Sequence, residues 1–343
     1  HNRNQKMLRA QKDDEIDSAA IGDLLLRNES FPFQPLSGDY LRLQYWVRFR
    51  KAKVKSRTAL RNQVIGHLDR IFPGLVRPNK EAQGDHPPLF GSFWDTDMAQ
   101  QLIRLCPDPR VLAQMSVPEL IDRYHARGWR MGPVNARRII DFAQKTLWPD
   151  PAVVEARIPL LKIDLALLDA LDTAISQAEE QIEDHLSRTR GHHLTRIKGL
   201  GPVHVAGYVA GLGDPELYQH AGQVFKRSGL VSGRHDSGIR QRQGAGQPIT
   251  KIGDRHLRDA LVQLTHSLIL WQPYFGDYKA KLKKRGKHPG VATVATARKV
   301  NGVLFALMRD QSEFRPTDRE GKLIPPRHTT RKETATDMDS SKT

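Results

Sequence analysis

The chain has 343 residues and a formal net charge of +16, from 54 Lys and Arg against 38 Asp and Glu. That length is enough for two or three domains with a sizeable core. The positive charge favours a polyanionic partner, with nucleic acid as the first choice and a membrane surface as the rival. No apolar run approaches the roughly 18–20 residues that span a bilayer, and no secretory h-region appears among these residues.

One cysteine, Cys106, is present. It excludes an intramolecular disulfide and a multi-cysteine zinc site, and it fits a cytosolic setting. Because the sequence begins at His1 rather than Met, we expect further residues upstream.

An acid-rich helix is predicted within the first thirty residues. Asp14 and Asp17 stand three positions apart at the start of an apolar pattern with helical spacing, so they share one helix face. Two carboxylates on one face can bind Mg²⁺, which prefers oxygen ligands. The alternative is an ordinary acidic helix start, stabilised by the helix macrodipole.

A linker with two prolines and a glycine, residues 31–38, leads into a long predicted helix over 39–71. Between Asp39 and Asp69 this helix has eight basic residues and no acidic one. They are Arg42, Arg48, Arg50, Lys51, Lys53, Lys55, Arg57 and Arg61. Because the run is one-sided and has nothing to pair it, the pattern favours contact with a DNA or RNA backbone over a merely solvated face.

The middle of the chain is predicted to form helices that have no candidate functional site. Helices over 116–126 and 133–147 carry no arrangement of reactive side chains. From Pro159 to Arg188, apolar residues recur every seven positions, which predicts a coiled-coil helix. Its seam can pack on the 39–71 helix of the same chain or on another protomer, and the pattern leaves both open.

A glycine hairpin begins the C-terminal part of the chain. Lys198, Gly199 and Gly201 lie in the run Ile-Lys-Gly-Leu-Gly-Pro, and Pro202 suits the first turn of a helix. Backbone N–H groups at a helix start attract phosphate, so the run is typical of a helix-hairpin-helix that grips a nucleic-acid backbone. A plain helical corner inside a core is the alternative.

A glycine-rich stretch further on holds a serine among basic side chains. Ser237 is flanked by Arg234, Arg240 and Arg242, and Lys251 follows shortly after. A serine hydroxyl becomes a nucleophile when a base or metal activates it, and arginines can hold a phosphate and its developing charge. The stretch is a candidate phosphoryl-transfer site; a simple Ser-Gly turn is the alternative.

Together these motifs resemble the C-terminal domain of one bacterial transposase family, the IS-one-ten insertion-sequence family, and its relatives, the Piv-type DNA invertases. The family pattern is roughly I-x-G-I-G, then Gly-Leu, then Ser-Gly, then G-x-I-x-K-x-G-N-x-x-L-R. The matching residues are Ile197, Gly199, Gly201, Gly229, Leu230, Ser237, Gly238, Ile249, Lys251, Gly253, Leu257 and Arg258. Asp254 replaces the usual Asn, and Ser232 stands where a proline is common.

The resemblance implies a RuvC-like nuclease domain with four acidic metal ligands, the last two in a K-T-D-x-x-D-A segment. Asp14 and Asp17 match those two, so we expect them to bind Mg²⁺, with the other two acids before residue 1. The family also implies that Ser237 attacks DNA and forms a phosphoserine link. A structured guide RNA and a homo-oligomer, a dimer or a tetramer, are further expectations from the family.

The last part of the chain offers two interpretations of one segment. Aromatic residues beside a basic run at 271–288 suit either nucleic-acid stacking or a core aromatic cluster. A helix is predicted over 291–309, and the polar residues from 311 onward predict a disordered tail.

The predicted fold class is α+β and predominantly helical. The predicted divisions are a RuvC-like α/β remnant at 1–30, a helical coiled-coil region at 31–190, a mostly helical transposase domain with the helix-hairpin-helix-like motif at 191–310, and the tail at 311–343. The predicted function is a DNA transposase or site-specific recombinase. Two alternatives stay open: a non-catalytic nucleic-acid-binding protein, and a RuvC-like nuclease that acts on DNA junctions.

Overall fold

The computed structural model describes residues 14–27, 36, 38–76, 88–231, 249–318 and 320–327. The chain divides into two units, residues 1–38 and 39–343. In the first unit the described structure is helix α1, Asp14–Leu26, and the turn that follows it. Asp14 is the first residue of this helix and Asp17 lies about one turn later, which confirms the predicted helix.

Helices also make up most of the remaining described chain. They are α2 (Gly38–Ile71), α3 (Asp97–Leu105), α4 (Pro109–Gln114), α5 (Val117–His125), α6 (Pro133–Lys145), α7 (Pro151–Ser187), α8 (Pro202–Leu212), α9 (Ala221–Arg227), α10 (Arg255–Trp271), α11 (Pro273–Lys284) and α12 (Pro289–Asp310). Within the described ranges, β pairing consists of an isolated bridge between Thr317 and Leu323 and a single bridge residue at Ile249. The predominantly helical prediction is confirmed, whereas the described residues show none of the strands of an α/β domain.

The two long helices, α2 and α7, pack against each other in opposite directions. Four polar pairs along their length establish this: His185–Asp39 (2.8 Å), Arg50–Glu179 (2.6 Å), Arg57–Asp172 (2.8 Å) and His67–Asp164 (3.3 Å). Of the two partners that the heptad pattern left open, the helix of the same chain is the one observed. α7 begins at Pro151 rather than at the predicted Pro159, which lies inside the helix.

Each end of the α2–α7 pair belongs to a different hydrophobic core. Leu43 and Ile182 lie in a core built mainly by α8, α10 and α12. Val64 and Leu168 lie in a second core built with α3, α5 and α6. α2 therefore crosses both cores, and its first half is held against the C-terminal helices.

The polar segment after α12 packs on the first core as far as residue 327, whereas the sequence predicted a disordered tail from residue 311. Phe314 stacks on the buried Phe275, with ring centroids 5.8 Å apart and planes at 7°. The Arg327 backbone N–H donates to the Trp271 carbonyl at 2.9 Å. These contacts favour the core interpretation of the aromatic cluster at 271–288.

Among the described helices, α12 is the one whose length and apolar character could cross a membrane, although the sequence pattern indicated no such run. Half of its apolar window is buried. Val300 and Leu304 lie in the first core, so packing within the fold accounts for its apolar character.

Candidate nucleic-acid interface

Three of the eight basic residues between Asp39 and Asp69 of α2 are neutralised by acids from other helices. The pairs are Arg50–Glu179, Lys51–Asp259 and Arg57–Asp172. The expectation that nothing pairs with this run was therefore wrong. The acids come from α7 and α10, 115 to 208 residues further along the chain.

Other cations of α2 remain open to solvent. Arg48 and Lys55 are exposed, and no carboxylate in the described part of the chain forms an ion pair with either. They are seven residues apart, so they share one helix face at a separation of about 10 Å. The Lys53 ammonium lies 5.0 Å from the centre of the Phe49 ring, and Tyr45 nearby is 67% exposed. The exposed surface of α2 therefore offers both positive charge and aromatic rings.

A groove of about 450 Å³ lies where α2, α8 and α10 meet. Its lining includes Arg48, Arg50, Lys51, His204, Asp254 and His256. Burial, and then the neighbouring Arg48, lower the pKa of His256 from its usual value. The groove joins the basic face of α2 to the helix that follows the glycine hairpin.

The glycine hairpin before α8 is fixed by contacts with the end of α10. Gly199 has φ +97°, and a Cβ at this position would lie 2.7 Å from the Trp271 ring, so conformation and space both require glycine. The Gln272 side chain donates to the Lys198 carbonyl at 2.9 Å, and the Ser267 hydroxyl donates to the Gly199 carbonyl. The hairpin carbonyls are thereby held, and the Lys198 ammonium lies 5.3 Å from the Trp271 ring centre.

The start of α8 has no side-chain cap. Gly201 is the N-cap residue in an extended conformation, and Pro202 occupies the first turn. A five-residue 3₁₀ helix, His192–Arg196, stands where a helix-hairpin-helix would have its first α-helix. The turn and second helix follow the predicted pattern, and binding of phosphate by the Lys198, Gly199 and Gly201 segment stays a prediction.

The serine-bearing stretch is described only at its two ends. Ser237, Arg234, Arg240 and Arg242 lie outside the described residues. Lys251 is described: it is exposed and has φ +54°, and its backbone N–H donates to the Gly229 carbonyl at 3.1 Å. The two ends of the stretch are therefore adjacent, beside the first turn of α10.

The residues predicted to bind Mg²⁺ have suitable chemistry, but a further ligand is needed. Asp14 and Asp17 lie in the first turns of α1 at a spacing that allows them to share one helix face. Within the described ranges, no group of three or more His, Cys, Asp or Glu residues could hold a metal ion.

Cys106, the single cysteine of the sequence, is unsuited to act as a nucleophile. It is buried, and that burial raises the pKa of its thiol to about 11. Since the thiolate is the reactive form, this cysteine is inert near neutral pH.

Two family models match the chain, and both describe transposase domains. Residues 191–280 match the family described as Transposase IS116/IS110/IS902, and residues 1–73 match the DEDD transposases of IS110. These matches to transposase domains of the IS110/IS116/IS902 family confirm the resemblance seen in the sequence.

Three relatives support this assignment. A probable family 20 transposase of Pseudomonas aeruginosa is 29% identical over 174 residues, which are 49% of each chain. A protein of insertion element IS116 from Streptomyces clavuligerus is 26% identical over 310 residues, 89% of this chain and 73% of the relative. A protein of insertion element IS110 from Streptomyces coelicolor is 23% identical over 273 residues, 78% of this chain and 63% of the relative. The chain thus matches about half of the Pseudomonas protein and under two thirds of the last one.

Proposed function

We propose that this chain acts in DNA transposition or site-specific recombination and that the groove between α2, α8 and α10 contacts the DNA backbone. One observation carries the proposal: the groove brings the open cation Arg48 beside α8, the helix that begins at the glycine hairpin. Helix starts and arginine side chains both bind phosphate without selecting a base sequence. The matches to transposase domains make DNA the expected partner.

In the proposed reaction, Ser237 is the nucleophile. Its Oγ attacks the scissile phosphorus and loses its proton, a P–O bond to a deoxyribose oxygen breaks, and that oxygen leaves as a protonated hydroxyl. Arg234, Arg240 and Lys251 neutralise the charge that develops on the phosphate oxygens. Mg²⁺ held by Asp14, Asp17 and further acidic ligands would supply Lewis-acid polarisation of the phosphate.

Covalent capture of DNA tests this mechanism. Wild-type chain and a Ser237→Ala variant, each also prepared with the residues encoded upstream of His1, are incubated with Mg²⁺ and labelled duplex DNA, and adducts are separated on a denaturing gel. The wild-type chain should form an adduct and the variant should form none, with DNA affinity unchanged between them. An adduct formed by the variant would show that the nucleophile is another group.

The same assay separates the two alternatives. A non-catalytic binding protein would bind DNA without cleavage or adduct. A RuvC-like nuclease would cut junction DNA in the Ser237→Ala variant, and an Asp14→Asn variant would lose that cleavage.

A guide RNA is a second proposed partner, and it rests on the family resemblance. The exposed cations Arg48 and Lys55 suit an RNA backbone as well as a DNA backbone, because both present phosphates at close spacing. Competition between a structured RNA transcribed from beside the coding sequence and unrelated duplex DNA tests this. If unrelated duplex DNA displaced the bound RNA when the two were present at equal concentrations, that result would count against a dedicated RNA partner.

A second apolar stripe on α7 supports self-association. Val153, Leu160, Ile163 and Leu167 are 40%, 51%, 58% and 50% exposed. Successive members of this stripe are seven, three and four residues apart, as at the core positions of a coiled coil. We propose that two copies of the chain pair through this stripe.

A further inference from the structure

The two ends of the stretch 232–248 are joined by a short, closely packed structure, which we call the clasp. It consists of residues 227–231, residues 249–254 and the side chain of Arg258. Three backbone hydrogen bonds join its two segments: Thr250 N–H to Val231 carbonyl (2.9 Å), Lys251 N–H to Gly229 carbonyl (3.1 Å) and Asp254 N–H to Arg227 carbonyl (2.8 Å). The clasp therefore fixes the distance between the points where the chain leaves and re-enters the described structure.

Arg258, in the first turns of α10, bonds to both segments at once. Its Nη1 donates to the Ser228 carbonyl at 3.1 Å and to the Lys251 carbonyl at 3.0 Å. Hydrogen bonds from a charged donor are stronger than neutral ones. One guanidinium group therefore ties the segment before the stretch to the segment after it.

Two glycines make room for this arrangement. Gly229 has φ +68°, and a Cβ there would lie 2.6 Å from the Ile252 carbonyl oxygen and 2.9 Å from Nη1 of Arg258. Gly253 has φ +131°, and a Cβ there would lie 2.1 Å from the Arg227 carbonyl oxygen. Because the obstacles include backbone atoms, small shifts of side chains cannot relieve them.

Lys251 shows that the clasp imposes a conformation. It has φ +54°, which lies in the left-handed region that residues other than glycine rarely adopt. Its N–H and its carbonyl are both bonded within the clasp, to Gly229 and to Arg258. Loss of the Arg258 bond removes one of the two contacts that hold this conformation.

We propose that Arg258 is a positioning residue for the serine reaction: it closes the clasp and so fixes both the anchors of the stretch that carries Ser237 and the backbone of Lys251. The proposal rests on the proposed function, since it assigns Arg258 a role in the step that Ser237 performs. Arg258 itself is not assigned a contact with the reacting phosphate. Its contribution should appear in the rate of attack rather than in the binding of DNA.

The test compares Arg258→Ala, Arg258→Lys and the control Arg255→Ala in the full chain. Arg255 is an exposed cation at the start of the same helix. With saturating DNA and Mg²⁺, Arg258→Ala should slow adduct formation by on the order of 10- to 100-fold, as expected for a reacting group displaced by about 1 Å. DNA affinity should stay within about twofold, as for a residue without phosphate contact. Arg258→Lys keeps a charged donor and should recover part of the rate, and Arg255→Ala should match the wild-type rate.

Hydrogen exchange supplies the structural readout. The Thr250 and Lys251 amides should exchange faster in Arg258→Ala, while the amides of α12 stay protected, which separates loosening of the clasp from unfolding. Faster exchange with an unchanged adduct rate would overturn the inference, as would a rate loss that merely follows the unfolded fraction. A wild-type chain that forms no adduct would instead overturn the proposed serine reaction.

Discussion

Salt dependence of DNA binding tests which cations of α2 face the DNA. Each phosphate contact contributes about −0.9 to the slope of log affinity against log salt concentration. Arg48 and Lys55 are the two exposed cations on one face of the helix, so the double variant Arg48→Ala/Lys55→Ala should lose about two contacts. The slope should become shallower by about 1.8, so the affinity lost between about 50 and 200 mM salt should be about 12-fold smaller than for the wild-type chain.

Fluorescence anisotropy with a labelled duplex of unrelated sequence gives this slope. The matched control is Arg57→Ala, which removes a cation that is already paired with Asp172 at 2.8 Å. Its slope should stay close to the wild-type slope. If Arg57→Ala flattened the salt dependence as much as the single variant Arg48→Ala, the division of α2 into paired and open cations would not describe how it binds DNA.

Three further predictions concern the core, pH and self-association. Tyr208→Phe removes a buried hydrogen bond of 3.0 Å to the Asn301 side chain, so it should cost about 1–2 kcal/mol, seen as a lower Tm that the exposed Tyr45→Phe control does not show. Burial, and then neighbouring cations, lower the pKa of His256 in the fold. Between the folded and the unfolded pKa of His256, the unfolded chain therefore binds more protons, so the stability of the fold should fall as the pH drops from about 6.5 toward the lowered pKa. In His256→Gln, this part of the pH dependence of Tm should be absent. Leu167→Glu should shift the mass measured by light scattering from dimer to monomer; an unchanged mass would exclude the second α7 seam as the contact.

The helices were predictable because their patterns are local. α2 was expected over 39–71 and spans Gly38–Ile71, since its apolar residues keep helical spacing throughout. The start of α7 was misplaced because a proline was taken as the beginning of the helix. Pro159 lies inside α7, where its cost of about 3 kcal/mol has to be offset by tertiary packing that extends N-terminally to the buried Val154.

Ion pairing across the fold was not predictable from charge runs. The sequence of α2 contains no acid between Asp39 and Asp69, which favoured a fully open basic face. A signal did exist, because Asp172 and Glu179 lie seven residues apart on one face of α7. It becomes informative only when α7 is known to run antiparallel to α2, and that is a property of packing.

The structure of the glycine hairpin likewise has one local cause and one distant cause. A turn at Gly199 follows from the local sequence, because a positive φ favours glycine. Its close contact with Trp271 comes from a helix that starts more than fifty residues later. The local sequence therefore predicted the conformation, and tertiary packing determined that the hairpin is held against α10.

The pairing of α2 also explains how one helix can serve two purposes. The run between Asp39 and Asp69 holds eight cations and no acid, so it repels itself, and that repulsion opposes the packing of α2 in the core. Acids from α7 and α10 neutralise Arg50, Lys51 and Arg57, where α2 meets those helices. Arg48 and Lys55 gain no such partner in the described chain, so their charge is available to a nucleic-acid backbone without a protein ion pair having to break first. The contacts that stabilise the fold therefore also determine which part of the basic run is free to bind.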